Sequence, residues 1–238
     1  MRQRISLEEA HALLRTCVTP LGAVSVPASA ALGRTLARAV SAPLDQPPFD
    51  RSPLDGYALR AADTVSASRA RPVSLEVVET LYAGDVPTRS LGPGQAARIM
   101  TGAMLPPGCD CVVGWEATDN GRERVALSAP LAPHANYCRR GEDYRAGECL
   151  LPAGTALDAA ALGVLAGAGV ETVSVLRRPV VGLLTTGDEV VSPALHPLPP
   201  GKIYDANLAL LSARLRELGI SEVRACALGD DAWAAARA

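Results

Sequence analysis

The chain has 238 residues, 48% hydrophobic and 20% charged, with a formal net charge of -2. That balance fits a folded globular protein and excludes global disorder. The slight acidity argues against a nucleic-acid binder, which carries a clear basic excess. Aromatic residues make up only 3%, so the core has to be built from Ala, Val and Leu, and a base-stacking platform is disfavoured. No apolar run approaches the length of a bilayer span, and the N-terminus lacks a signal-peptide hydrophobic region. The expectation is a cytoplasmic protein with no membrane and no nucleic acid among its partners.

Residues 6–17 read as a helix. Ser6 and Glu9 have capping-box spacing, and Leu7, Ala10, Leu13 and Leu14 form a helical stripe. Residues 29–40 read as a second, Ala-rich helix. A change of texture follows at 43–57. The run 47–58 packs three prolines, one glycine and two acids beside the only phenylalanine, Phe49. Proline fixes φ and removes donors, so this run is expected to be neither a helix nor a central strand. It displays a hydroxyl, a carboxylate and a phenol (Ser52, Asp55, Tyr57) on a stiff loop, a way to build one wall of a site. The competing reading is a Pro-rich connector turning at Asp55-Gly56.

From 72 to 130 the pattern is β. Strand candidates lie at 75–81, 97–100, 111–115 and 124–127, broken by Gly84-Asp85, Gly92-Pro93-Gly94, Pro106-Pro107-Gly108 and Asn120-Gly121. This spacing predicts a small barrel or sandwich-like module, with Asn120-Gly121 as a hairpin turn. Thr101-Gly102 sets a hydroxyl beside a bare backbone N–H, which can hold an oxyanion or phosphate. A plain strand-to-loop turn is the competing reading.

Further on, a turn at 152–155 leads to a helix over 158–168 and a strand over 171–176. The apolar run 180–184 reads as a strand buried on both faces. A loop with four prolines spans 187–204. Residues 206–218 form a helix with Leu208, Leu211, Leu215 and Leu218 on one stripe and Gly219 as its C′ residue. A strand over 222–228 and the start of a helix over 231–238 follow. The two strands and their helix predict a parallel β-α-β unit, which places Gly187-Asp188-Glu189 and Asp230-Asp231 at one sheet edge. Four carboxylates there would suit Mg²⁺ shared with a phosphate ligand. Capping and solvated acids are the competing reading. The six cysteines offer one close pair, Cys109 and Cys111, and no partner set for zinc, so all six are expected as reduced, small hydrophobes.

Five segments carry a resemblance: PPFDRSPLDGYALRAADT (47–64), RIMTGAMLPPGCDCVVGWE (98–116), RRGEDYRAGECLLPAGTALDAAALGVLAGAGV (139–170), RRPVVGLLTTGDEVV (177–191) and GKIYDANLALLSARLRELG (201–219). In this order they resemble the molybdopterin molybdotransferases, the bacterial enzymes of molybdenum cofactor synthesis together with the E domain of gephyrin. The resemblance implies a multi-domain α+β and α/β fold, elongated. Residues 1–43 with 133–178 would form a discontinuous dimerisation domain. Residues 44–132 would be an inserted β-rich module, and 179–238 the start of a parallel α/β, molybdopterin-binding-like domain.

The resemblance also implies insertion of molybdate into adenylylated molybdopterin with release of AMP, assisted by Mg²⁺. It implies a homodimer with a composite site, and molybdopterin adenylyltransferase as a further partner. Matched motif by motif, Asp55, Thr101, Glu189 and Asp230 are the implied catalytic residues. Ser52, Gly56, Tyr57, Gly102, Gly187, Asp188, Asp205 and Asn207 are the implied substrate contacts, and no metal ligand is assigned. Departures from the family pattern are Arg51 in place of Asn, Pro53-Leu54 in place of Ala-Met, and Gly229 in place of Arg. The family's Gly-Gly-Val-Ser loop, its Lys-Pro-Gly-Lys-Pro segment and its C-terminal β domain find no match, which implies a C-terminally truncated relative. The alternative to the enzyme is a non-catalytic dimerising scaffold of the same family. A nucleotide-binding regulator ranks last, because neither a P-loop nor G-x-G-x-x-G occurs.

Overall fold

The computed structural model describes residues 5–230; the helix expected from 231, and Asp231 with it, lies outside the described residues. In chain order the elements are α1 (Leu7–Cys17), β1 (Ala23–Pro27), β2 (Val40–Ser41), β3 (Gly56–Leu59), β4 (Val73–Leu81), β5 (Gln95–Ile99), β6 (Cys111–Gly114), β7 (Arg124–Leu127), β8 (Cys149–Leu151), α2 (Ala159–Gly167), β9 (Thr172–Leu176), β10 (Val181–Thr186), β11 (Val190–Val191), β12 (Ile203–Tyr204), α3 (Ala206–Glu217) and β13 (Val223–Leu228). They fall into two units. One comprises Val40–Leu151 with Gly167–Val170, and the other the remainder of the chain.

The first unit is built on a five-stranded sheet ordered β6-β3-β5-β4-β7. All neighbours are antiparallel except β4 and β5, which run parallel. It is a mixed sheet, and among the described residues β6 and β7 do not pair, so where a small barrel or sandwich-like module was expected the β-rich part is one open five-stranded sheet. Both faces are packed. Tyr57, Leu59, Leu75, Val113 and Val125 gather on one, and Ala58, Leu81, Ile99, Leu105 and Val112 on the other.

Strand β3 corrects the expectation that residues 47–58 hold no central strand. It lies between β5 and β6 with all four residues buried. The three prolines all precede Asp55, so none removes a ladder donor from β3. Gly56 is required there, since a Cβ on it would lie 1.8 Å from the Val113 carbonyl oxygen. Asn120 takes a left-handed backbone (φ 56°) in the reversal before β7. That reversal is wider than a two-residue hairpin, closing at the Thr118–Leu127 bridge.

The second unit begins with α1. Ser6 accepts the Glu9 N–H and Glu9 accepts the Ser6 N–H, both at 3.1 Å, which completes the capping box. No residue of α1 is buried. The Ala-rich helix expected over 29–40 is absent; a single 3₁₀ turn (Ala28–Ala30) stands at its start. Gly33 is left-handed (φ 69°), and the backbone pairs across the chain instead. The N–H groups of Gly33, Leu36 and Ala37 donate to the carbonyls of Leu157, Thr155 and Ser174. Tertiary pairing overrides alanine's helix propensity here. Helix α2 follows Asp158, whose carboxylate accepts the Ala161 N–H at 2.8 Å, and β9 pairs antiparallel with β1.

Strands β10 and β13 run parallel in register from Val181–Val223 to Thr186–Leu228, so both C-terminal ends lie at one edge. Helix α3 connects them through a Schellman end. Gly219 is left-handed (φ 77°), its N–H donates to Arg216 O, and the Ile220 N–H donates to Leu215 O. One expectation is corrected. Strand β10 alternates half-buried and exposed residues rather than being buried on both faces. On α3, Leu208 and Leu215 are half-buried whereas Leu211 and Leu218 are exposed. Two paired strands and one helix cannot cover both faces of a parallel pair.

Candidate functional site

The proline-rich run reaches Asp55 under tight control. Asp50 accepts the Tyr137 hydroxyl (2.6 Å) on Oδ2 and the Arg140 N–H (2.8 Å) on Oδ1. Asp45 accepts the Ala146 N–H (2.8 Å) and Arg140 Nε (2.6 Å). Those two contacts, the Ala146 N–H first, hold the Asp45 carboxyl below the ordinary carboxylate range. Between them, Arg51 exchanges backbone hydrogen bonds with Cys138, and Ser52 with Gly102 and Ala103. The segments 47–58, 98–108 and 137–146, separate in sequence, thus form one interlocked patch. Asp45, Asp50, Tyr137 and Arg140 are positioning residues that sequence reasoning missed. The only sequence signal touches two of them: Asp45 and Asp50 recur as acids in a proline-rich loop.

At the tip of this patch Asp55 and Thr101 meet. Asp55 Oδ1 accepts both the Thr101 N–H and the Thr101 hydroxyl, each at 2.7 Å. The hydroxyl first, then the N–H, keep the Asp55 carboxyl below its ordinary range, so it is a carboxylate at neutral pH. Both residues are exposed, and Oδ2 remains open to a ligand. Of the two readings of Thr101-Gly102, the pairing favours the plain strand-to-loop turn over an anion nest, because the Thr101 donors are already spent on Asp55. Gly102 is left-handed (φ 84°) and its N–H donates to Ser52 O.

Three of the expected contacts are built into the core instead. Tyr57 is 0% exposed, and its hydroxyl donates to Gly121 O at 2.9 Å. Burial raises its phenol pKa. Ser52 is 0% exposed, with its hydroxyl turned onto Leu54 O. Gly56 serves the close approach to β6. Cys109 and Cys111 are unpaired thiols pushed up to about 12, chiefly by burial. Burial favours the neutral thiol of each over the thiolate.

The second unit carries the other candidates. The Asp188 carboxylate accepts the Asp230 N–H at 3.0 Å, and Lys202 Nζ donates to Asp188 O at 2.7 Å. Gly187 (φ 143°) turns the chain at this point, and its N–H donates to Leu228 O. The Glu189 carbonyl takes the Ile203 N–H, which starts the β11–β12 pair. Asp205, 6% exposed, caps α3 by accepting the Leu208 N–H (2.8 Å) and also accepts the Thr185 hydroxyl (2.6 Å). Thr185 and then Leu208 hold its carboxyl low. Its job is to fix α3 to the end of β10. Thr185, Thr186, Tyr204 and Asn207 line a cavity of about 370 Å³ beside it.

The structure joins Asp55 to Thr101 and Asp188 to Asp230. Of the four acids expected at the sheet edge, Asp231 lies outside the described residues. Among the described residues no three acidic, histidine or cysteine side chains converge on a point where a metal ion would sit.

Residues 5–169 match the family model of the MoeA N-terminal region (domain I and II). Molybdopterin molybdenumtransferase 2 of Mycobacterium tuberculosis (strain H37Rv) is 39% identical over 226 residues, covering 95% of this chain and 56% of the relative. The molybdopterin molybdenumtransferase of Bacillus subtilis (strain 168) is 40% identical over 204 residues, covering 84% and 47%. Two solved structures of molybdopterin biosynthesis MoeA protein from Pyrococcus horikoshii superpose with TM-scores of 0.86 and 0.85. Their identities are 36% and 33%, over 95% and 94% of this chain and 58% and 60% of theirs. The chain belongs to the MoeA family. It spans about half the length of the curated relatives it matches.

Proposed function

We propose that this chain serves molybdenum cofactor biosynthesis as a molybdopterin molybdotransferase, inserting molybdate into adenylylated molybdopterin with release of AMP. The observation that carries this reading is family membership across residues 5–169, with the stiff loop delivering a single exposed carboxylate, Asp55, onto Thr101. Molybdate and adenylylated molybdopterin are the substrates, and AMP is the product.

In this reading Asp55 offers Oδ2 as an acceptor to an N–H or O–H of the bound substrate. Thr101 keeps the carboxylate ionised and aimed. Asp188, Asp230 and Asn207, with Thr185 and Thr186, form a polar wall of the second unit, which the other subunit of the proposed homodimer would bring to a composite site. Glu189 is assigned to this wall through the Thr-Gly-Asp-Glu motif. The fit to Mg²⁺ is poor, because Asp188 meets Asp230 through a backbone N–H and no third acid joins them among the described residues. No step is routed through the ion.

Residues 1–43 with 133–178 act as a dimerisation part, 44–132 as the β-rich module, and 179–238 as the opening of the α/β part. A homodimer is supported by α1, where Leu7 and Leu14 are 67% and 61% exposed, a stripe that needs a cover. Sedimentation at micromolar concentration tests it: a dimer is expected, and a monomer contradicts it. Binding of molybdopterin adenylyltransferase is a further proposal, tested by co-sedimentation with that enzyme. The reaction is tested by supplying the intact gene product with adenylylated molybdopterin and molybdate and following AMP.

A further inference from the structure

One cavity of the first unit takes no part in the contacts described above. It measures about 250 Å³ and is lined by Thr80, Tyr82, Arg98, Met100 and Arg122. Thr80, Arg98 and Tyr57 are cross-strand neighbours on β4, β5 and β3, so they share one face of the sheet. Where that face stops being apolar, Arg98 begins. Its guanidinium lies over the Trp115 ring, 4.7 Å from the centroid, and 5.9 Å from the Tyr57 centroid. Trp115 is itself held, with Nε1 donating to Gly56 O at 3.3 Å. Stacking of this kind fixes the guanidinium plane and leaves its N–H donors unspent.

The ion pairs among the described residues are Arg140–Asp45 and Arg214–Glu217. Arg98 and Arg122 are in neither, and the lining contains no carboxylate. A half-buried, pre-oriented guanidinium beside a second arginine and two hydroxyls is a donor-rich set with no anionic partner in its lining.

We propose that Arg98 and Arg122, with the hydroxyls of Thr80 and Tyr82, form a binding site for a tetrahedral oxyanion: the phosphate group of a phosphoester, or molybdate. Arg98 is the stacked, fixed donor and Arg122 the exposed one. The cavity is smaller than the usual range for drug-sized ligands, about 300–1,000 Å³, so it takes the anionic group and leaves the rest of an ester outside. The site is read from local geometry and stands whether or not the transferase reading holds.

Calorimetric titration of the whole chain with inorganic phosphate, phenyl phosphate and molybdate, at ionic strength fixed with chloride, tests it. Trp115 fluorescence serves as the local reporter in a Trp233→Phe background. Saturable binding by at least one of the three is expected, with a matching change in Trp115 emission. Arg122→Ala is exposed and safe for the fold, and Arg98→Met keeps the apolar stem. Each is expected to weaken binding at least about tenfold, the value of one charge-assisted contact. A preference for molybdate or for phenyl phosphate upholds the site and names its source. Absence of saturable binding by all three ions, or Arg122→Ala binding as tightly as the parent, overturns the proposal.

Discussion

Asp55 Oδ1 receives both hydrogen bonds that Thr101 can donate to one atom, N–H and hydroxyl, each at 2.7 Å. One carboxylate oxygen is thereby fixed to the β5–β6 loop, and the other is left facing outward. Thr101→Val removes the hydroxyl and keeps the N–H. The Asp55 pKa is expected to rise toward its ordinary 3.8 in a carboxyl-carbon NMR titration. An unchanged titration would show that the hydroxyl does not hold the carboxylate.

The same contact has a pH consequence. The carboxyls of Asp45, Asp55 and Asp205 are all held low in the fold. A depressed folded-state pKa contributes stability that is present above the unfolded value and lost as pH falls through the folded one. Stability to urea is therefore expected to be flat from neutral pH down to the ordinary carboxylate range and to fall below it. Asp45→Asn is expected to shrink that fall, and an unchanged acid limb would contradict the assignment of Asp45 as a clasp.

Gly56→Ala is expected to cost at least about 2 kcal/mol in urea unfolding, because a methyl 1.8 Å from the Val113 carbonyl forces β3 and β6 apart. A loss below about 0.5 kcal/mol, the level of an ordinary surface change, would mean the strands separate freely.

Tyr57→Phe removes the hydroxyl that reaches Gly121 O and leaves the packed ring in place. It is expected to cost about 1 kcal/mol of stability while substrate affinity stays at the parent value. Lost affinity with intact stability would return Tyr57 to the binding surface.

Asp205→Ala frees the Leu208 N–H and the Thr185 hydroxyl together. Hydrogen exchange at the first-turn amides of α3 is expected to accelerate. Exchange at the parent rate would show that another group caps the helix.

The relation of sequence to structure differs by region. The capping box at Ser6 and Glu9 and the Gly219 end were legible because each depends on residues three to five positions apart. The helix expected over 29–40 failed because its backbone is claimed by residues more than a hundred positions away, such as Thr155 and Leu157. Strand β3 was hidden for the same reason: the prolines ahead of it dominate the local pattern, and its need for Gly56 comes from β6. At the site, the family motifs brought out Asp55 and Thr101 as residues. They could not say that Thr101 spends its donors on Asp55. Asp50, Tyr137 and Arg140 were missed because a clasp between distant loops has no spacing to recognise.

The most direct test of the proposed function follows AMP release from adenylylated molybdopterin by the intact gene product, with and without molybdate, alongside Asp55→Ala. Molybdate-dependent AMP release with formation of cofactor, lost in Asp55→Ala while the fold persists, is the expected result. No AMP release and no cofactor from the intact gene product, under conditions where a family relative produces both, would contradict it.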